Sequence, residues 1–281
     1  MDERSIADIS VTRVEDSAAT PADDTLAVEE PLEIQLGREN HWTSVSITMR
    51  TPGNDDELAA GFLFTEGILR SAGDAAAIEP WGPFSGAAHV RNIVRVRLAP
   101  NVNPDLDRLR RNFYTTSSCG VCGKASLDAL RSVAMRPVAA DGPRVAPAII
   151  HGLPKTLRDA QAVFASTGGL HAAGLFDSTG RLIAAREDVG RHNAVDKLIG
   201  HALLNRTDTA TAILLVSGRT SFELVQKAVM AGIPMLAAVG APSSLAVQLA
   251  REFNMTLAGF VRERRFNVYS AEHRLDYHVT I

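Results

Sequence analysis

Up to about Thr20 the chain is polar, rich in Asp, Ser and Ala, with little apolar periodicity. That pattern predicts an exposed, flexible tail over residues 1–20. From Leu26 the pattern changes. Leu32 to Leu36 and Ser44 to Met49 alternate as half-buried strands do, and the polar stretch Gly37-Arg38-Glu39-Asn40 between them predicts a hairpin. Asp55, Asp56 and Glu57 then place carboxylates in a first helical turn ahead of Leu58 and Phe62. Val90 to Leu98 alternates apolar residues with arginines, the signature of a strand with one charged face. Residues 21–145 therefore read as an α+β subdomain.

Beyond a loosely patterned, proline-containing stretch from Ala139 to Pro147, residues 146–281 change character. The spacing predicts a helix over Thr156 to Ser166. Two short strands follow, His171 to Phe176 and Leu182 to Ala185, joined by the turn Asp177 to Gly180. Strands at Ala212 to Val216, Met235 to Val239 and Thr256 to Val261 then alternate with helices at Phe222 to Met230 and Ser244 to Phe253. The alternation predicts an α/β fold with a largely parallel sheet. Three loops, Arg186 to Asn193, Ser217 to Ser221 and Gly240 to Ser244, each join a strand end to a helix start. On that edge of an open sheet, helix N-termini offer unpaired N–H groups to anions, and a phosphate-bearing ligand is expected there.

A length of 281 residues with 46% apolar content bounds the answer to one large or two ordinary domains. A formal charge of -3 and a pI near 6.2 give no general basic field, so nucleic acid is not an expected partner. No long apolar run and no basic, then apolar, leader occur, so neither membrane insertion nor export is expected. The expected compartment is the cytoplasm, where thiols stay reduced.

The chain has two cysteines, Cys119 and Cys122, in Ser117-Ser118-Cys119-Gly120-Val121-Cys122-Gly123-Lys124. Lys124 and a following helical segment favour thiolate, and Gly120 and Gly123 allow close approach of a partner. Polar neighbours argue against simple core packing. Half of a zinc site would need distant ligands such as His171 or His192, and the pair alone does not supply one. A thioredoxin-like exchange site expects a strand leading into the motif, whereas Asn112 to Ser118 is polar. The Gly123-Lys124 dipeptide fails the phosphate-loop pattern, because Ala125 follows the lysine and Ser118 stands where the first glycine is needed. Sulfur transfer, disulfide exchange and metal ligation all stay open on these residues.

Other candidates lie in the second half. Gly168 and Gly169 fit a helix stop as well as a binding role, and His171 is either an acid-base group or a packed strand residue. Arg191 and His192 stand at a glycine-preceded helix entrance beside Asp188, which could cap the helix and pair with Arg191. Gly218, Arg219, Thr220 and Ser221, before a helix, form a credible anion cradle, and Ser217, Gly218 and Arg219 are its expected binding residues. Phe260, Val261, Arg262, Glu263, Arg264 and Arg265 combine arginines, which grip phosphates or stack on purines, with an aromatic ring.

Several of these segments, in this order, resemble the FdhD/NarQ family of formate dehydrogenase accessory sulfurtransferases. The resemblance rests on Thr115 to Gly123, Ser166 to His171, Glu187 to Lys197, Ser217 to Arg219 and Gly240 to Ala246. It implies a sulfur carrier that takes sulfur from a cysteine desulfurase as a persulfide on Cys119, with Cys122 assisting. The sulfur would pass to the bis(molybdopterin guanine dinucleotide) molybdenum cofactor before its insertion into formate dehydrogenase. The alternative is a chaperone that delivers the cofactor without handling sulfur. The family's cofactor-binding stretch maps to Phe260 through Arg265, with the guanine nucleotide's phosphates near the helix-entrance loops. The resemblance also implies a homodimer, no structural metal, and a cytidine-deaminase-like three-layer domain after an N-terminal α+β subdomain. Deaminase chemistry itself is not expected, because neither His-x-Glu nor Pro-Cys-x-x-Cys occurs.

Overall fold

The computed structural model describes residues 3–39, 41–86, 88–103, 138 and 142–277. Its first departure from expectation is at the N-terminus. The expected tail is a ribbon in which β1 (Ile6–Glu15) pairs antiparallel with β2 (Ala18–Ala27). The period-2 signal of Ile9, Val11 and Leu26 is diluted by polar neighbours, and the backbone ladder supplies what the side chains do not. The ribbon's root is anchored where Val28 N donates to Ser5 O at 2.9 Å and Ser5 Oγ donates to Pro52 O at 2.8 Å.

The hairpin after Leu26 forms as expected, from β3 (Glu30–Arg38) and β4 (His41–Arg50). Helix α1 (Asp55–Thr65) follows, then β5 (Ala75–Ser85) and β6 (Val90–Leu98), giving a sheet of order β4-β3-β6-β5. In place of one helix over Thr156 to Ser166 there are two, α2 (Pro147–Asp159) and α3 (Ala162–Thr167). Pro147 sits at the helix start, where its missing N–H costs nothing, so the proline-containing stretch begins a helix. Gly168, at φ 67°, ends α3 in the left-handed conformation that favours glycine.

The remaining elements are β7 (His171–Phe176), β8 (Leu182–Asp188), α4 (Arg191–Leu204), β9 (Ile213–Val216), α5 (Phe222–Met230), β10 (Met235–Ala238), α6 (Ser244–Glu252), β11 (Thr256–Arg262) and β12 (Arg265–Ser270). They build a six-stranded sheet of order β12-β11-β10-β9-β7-β8. Only β9, β10 and β11 run parallel; β7 pairs antiparallel with both β8 and β9, and β12 pairs antiparallel with β11. The expectation of a largely parallel sheet is corrected by these flanks. Short turns after β7 and β11 leave no room for a crossover helix, so each must fold back as a hairpin.

Helices cover both faces of this sheet. On one, Ile150, Leu153 and Leu157 of α2 pack over Phe176, Leu215 and Val261. On the other, a single core joins Val195, Leu198, Val225 and Leu249 to Leu58 and Leu63 of α1 and to Leu32, Ile34 and Val94 of the four-stranded sheet. The two halves of the chain thus share one apolar interior, with α1 packed directly on α4. At that crossing a Cβ on Gly61 would lie 1.9 Å from Asp196 O, and one on Gly200 would lie 1.8 Å from Glu57 O. Backbone meets backbone there. Among the described residues no helix is long and apolar enough to cross a membrane.

Gly200→Ala should therefore lower stability by about 1–3 kcal/mol through overpacking. Gly152→Ala, in α2 with nothing within 4 Å, should raise it by about 0.5–1 kcal/mol. Urea midpoints of the two variants check the contrast in sign.

Candidate functional site

The carboxyl ends of β8, β9, β10 and β11 and the start of β7 lie on one edge of the six-stranded sheet. The loops leaving that edge are bonded to one another. Gly240 N donates to Gly218 O at 2.9 Å, Thr220 N to Ala241 O at 3.0 Å, Ser243 N to Thr220 O at 2.9 Å and Phe260 N to Gly240 O at 3.0 Å. Ser217 turns back into the sheet, its Oγ accepting from Ala172 N at 2.9 Å. Its role is to hold the loop; Gly218 and Arg219 carry the loop onward toward α5.

Arg191 and His192 open α4, and their position is set from below. Asp188 is fully buried and accepts from Gly190 N at 2.8 Å, Asn193 Nδ2 at 3.1 Å and Thr51 N at 3.2 Å. Its charge partner is Lys197, with Nζ 2.7 Å away, and not Arg191. Lys197 Nζ also donates to Thr51 O at 2.8 Å and Glu187 O at 3.4 Å, which spends all three of its N–H bonds. Arg191 is thereby left to the loop side. Asp196, also buried, binds Lys227 Nζ at 2.8 Å and Thr65 Oγ1 at 3.0 Å; burial pushes its carboxyl upward against the pull of Lys227.

Two histidines face this edge. His192 Nε2 lies 3.3 Å from Ser221 Oγ and 3.9 Å from Glu223 Oε2. Burial, then the charges of Arg191 and Lys227, lower its pKa to about 4, against a smaller opposing pull from Glu223. His171 pairs in register with Asp188 and has its ring beside Gly218. Burial, with Arg191 and Arg219, holds its pKa below the usual histidine range. Burial works against ionisation of Glu223, but the Ser221 hydroxyl, its own backbone N–H, His192 and Arg191 together outweigh it and hold the carboxyl low. At neutral pH the edge therefore presents two arginines, two neutral imidazoles and the ionised Glu223 around helix N-termini, a net cationic environment suited to an anion of phosphate type.

The Phe260 to Arg265 run divides. Phe260 is 40% exposed and sits at φ 55°, where β11 bulges against β12. Val261 is fully buried in the core over α2, so it offers no surface to a ligand. The Arg262 guanidinium donates to Val239 O at 2.8 Å beside the Gly240 loop. Glu263 and Arg264 form the turn, and Arg265 opens β12 opposite Arg262, so the exposed Arg264 and Arg265 project past the sheet edge. Cys119 and Cys122 lie outside the described residues. Among the described residues no group of three or more His, Cys, Asp or Glu side chains is arranged to hold a metal ion.

Sequence reading gave no role to Lys197, Lys227 and Glu223. For Lys197 the available signal was a charge inside the apolar run Ala194-Val195-Asp196-Lys197-Leu198-Ile199.

Comparison with known proteins gives concordant matches. The FdhD/NarQ family matches residues 27–276. The chain is 54% identical over 269 residues to the sulfur carrier protein FdhD of Streptomyces coelicolor, covering 94% of each chain. It is 51% identical to the protein of that name from Mycobacterium tuberculosis, over 90% of this chain and 92% of the relative. The Thermoplasma volcanium relative of the same name is 42% identical over 95% of this chain and 94% of its own. A crystal structure of a protein assigned as a formate dehydrogenase accessory protein, from Desulfotalea psychrophila, superposes with a TM-score of 0.74 at 26% identity, covering 96% of this chain and 99% of that one.

His192 should make folding acid-sensitive. Its pKa falls from 6.5 to about 4 on folding, so the unfolded chain takes up a proton that the folded chain refuses. The neutral buried ring costs nothing above pH 6.5, and the penalty builds as pH falls from 6.5 and is complete at about 4. With 36% of the side chain exposed, solvent screening leaves about 1–2 kcal/mol. Urea midpoints at neutral pH and near the lower end of that window should fall further for the wild-type chain than for His192→Gln; equal falls would remove the assignment.

Proposed function

This chain belongs to the FdhD/NarQ family, and on that footing we propose that it is a homodimeric, cytoplasmic sulfur carrier serving formate dehydrogenase. One observation carries the reading. The family match runs from residue 27 to residue 276 and takes in both the chain's two thiols and the cationic sheet edge. A carrier of this kind needs a nucleophilic sulfur and a place to hold an anionic recipient.

In the sulfurtransferase step, the Cys119 thiolate attacks the outer sulfur of a desulfurase persulfide, and the desulfurase thiolate leaves. Cys119 then carries the persulfide. Attack by the Cys122 thiolate on the inner sulfur forms the Cys119–Cys122 disulfide and releases the outer sulfur as hydrosulfide to the recipient. A cellular dithiol reduces the disulfide and restores both thiols.

The recipient in this reading is the bis(molybdopterin guanine dinucleotide) molybdenum cofactor, bound as substrate. Its phosphates suit Arg191, Arg219 and the N-termini of α4 and α5, and exposed Phe260 gives a flat apolar surface for the guanine ring. Arg264 and Arg265 would neutralise charge at the rim, and Arg262 would brace the Gly240 loop. The arrangement of helices on both sheet faces supports the cytidine-deaminase-like description of residues 146–281.

Incubation with a cysteine desulfurase and cysteine should add one sulfur to the intact mass of the wild-type chain and none to Cys119→Ala. Absence of the adduct on wild type favours a delivery chaperone that does not handle sulfur. In parallel, Arg219→Ala and the double variant Arg264→Ala, Arg265→Ala should each weaken guanosine diphosphate binding about tenfold while persulfide loading is unchanged. Calorimetry showing wild-type affinity in both would remove the edge from the cofactor site.

A further inference from the structure

We infer that the β1–β2 ribbon of one chain docks on the outer face of the β4-β3-β6-β5 sheet of a second copy. The inference rests on the homodimer in the reading above and names the surfaces that make it.

The ribbon is an arm with an apolar strip along the root half of one face and an exposed tip. Its register places Ala7, Ile9, Val11, Ala22 and Leu26 on one side together with Asp24, Arg13 and Glu15, while Thr25 Oγ1 to Asp8 at 2.7 Å and Ser10 Oγ to Asp23 at 3.3 Å tie the other side. Ile9 and Leu26 are 40% and 43% exposed, and every residue from Thr12 through Pro21 is exposed. Beyond its root, where β2 lies against α3, the ribbon is uncovered, and an isolated two-stranded ribbon is marginal in water, so a ladder this long calls for a surface to lie on.

The four-stranded sheet supplies one. Its inner face is core, but the outer face carries Ile47 at 70%, Phe84 at 55% and Trp81 at 48% exposure. Arginines are held flat among the aromatics: Arg95 stacks 3.9 Å from the Trp81 ring and 4.7 Å from Trp42, and Arg91 lies 4.9 Å from Phe84. Gln35 Oε1 accepts from Arg95 Nε at 2.9 Å and fixes the stack. Tryptophan, phenylalanine and arginine in one rigid patch are the residue types that dominate interface energetics.

The two surfaces complement each other in charge. On the docking side the ribbon sets Glu15 and Asp24, with Asp16 at the turn, against Arg13, while the sheet face sets Arg91, Arg95 and Arg97 against Glu33 and Glu79. Within one chain both surfaces remain exposed, so neither is satisfied internally. The size is adequate too. A ten-residue ribbon is about 33 Å long, and reciprocal exchange of two arms about 10 Å wide would bury about 1,300 Å², within the range of stable specific interfaces.

The test is a charge exchange on the full chain, read by sedimentation equilibrium. The variant Glu15→Arg, Asp24→Arg and the variant Arg91→Glu, Arg97→Glu should each raise the dimer dissociation constant about tenfold or more, and a chain carrying all four changes should recover most of that loss. Unchanged circular dichroism and melting temperature show that each variant folds. A dimer indifferent to both sets would overturn the docking surfaces and leave the homodimer standing on another interface. A four-change chain that dissociates as readily as the weaker parent would overturn the pairing of these two faces. A wild-type chain monomeric at high micromolar concentration would overturn the homodimer itself, while the desulfurase mass assay still judges sulfur carriage independently.

Discussion

The buried pair of Asp188 and Lys197 is the contact on which the rest of the site depends. Neither side chain meets solvent appreciably, and the 2.7 Å bond between them is surrounded by acceptors and donors from three places: Thr51 after β4, Glu187 of β8, and Gly190 and Asn193 at the entrance of α4. A buried ion pair is a poor source of net stability, but removal of one partner strands a charge at a cost of about 3–5 kcal/mol. Its value here is positional. The pair fixes the loop before α1 and the start of α4 relative to one another, and so decides where Arg191 and His192 stand.

A second consequence is electrostatic. Because Lys197 and Lys227 neutralise Asp188 and Asp196 inside the fold, those carboxylates do not offset the arginines at the sheet edge. The cationic character of the edge survives in a chain whose overall charge is -3. His171 and His192 are kept neutral first by burial and then by Arg191, and an arriving anion relieves the second of these.

Strand and helix positions were legible in the sequence wherever periodicity and burial agree. β3, β4, α1, β6, β7, α5 and β11 fall where the pattern puts them, and the three helix-entrance loops do gather on one edge. The ribbon was illegible because its alternation is diluted by Asp, Ser and Thr, and nothing local distinguishes an exposed strand from an exposed tail. The break between α2 and α3 was hidden for another reason. It is set by Glu187, distant in sequence, which caps α3 by accepting from Val163 N at 3.0 Å and Phe164 N at 2.8 Å. At the candidate site, residue type singled out Arg191, His192 and Arg219, which the fold gathers on one edge, whereas Val261 sits in a basic run yet faces inward by strand parity. Partner choice, such as Asp188 with Lys197 in place of Arg191, is a tertiary fact that spacing does not encode.

The crossing of α1 and α4 bears on how the molecule can move. Hinged enzymes open along a seam where few side chains interlock, and two lobes swing about a handful of residues. Here the seam between the halves is closed by main chain seated on main chain at Gly61 and Gly200 and by a continuous apolar interior. Lobe separation would have to break that interior open. Any rearrangement at the sheet edge is therefore confined to its loops, on a lobe pair that stays locked.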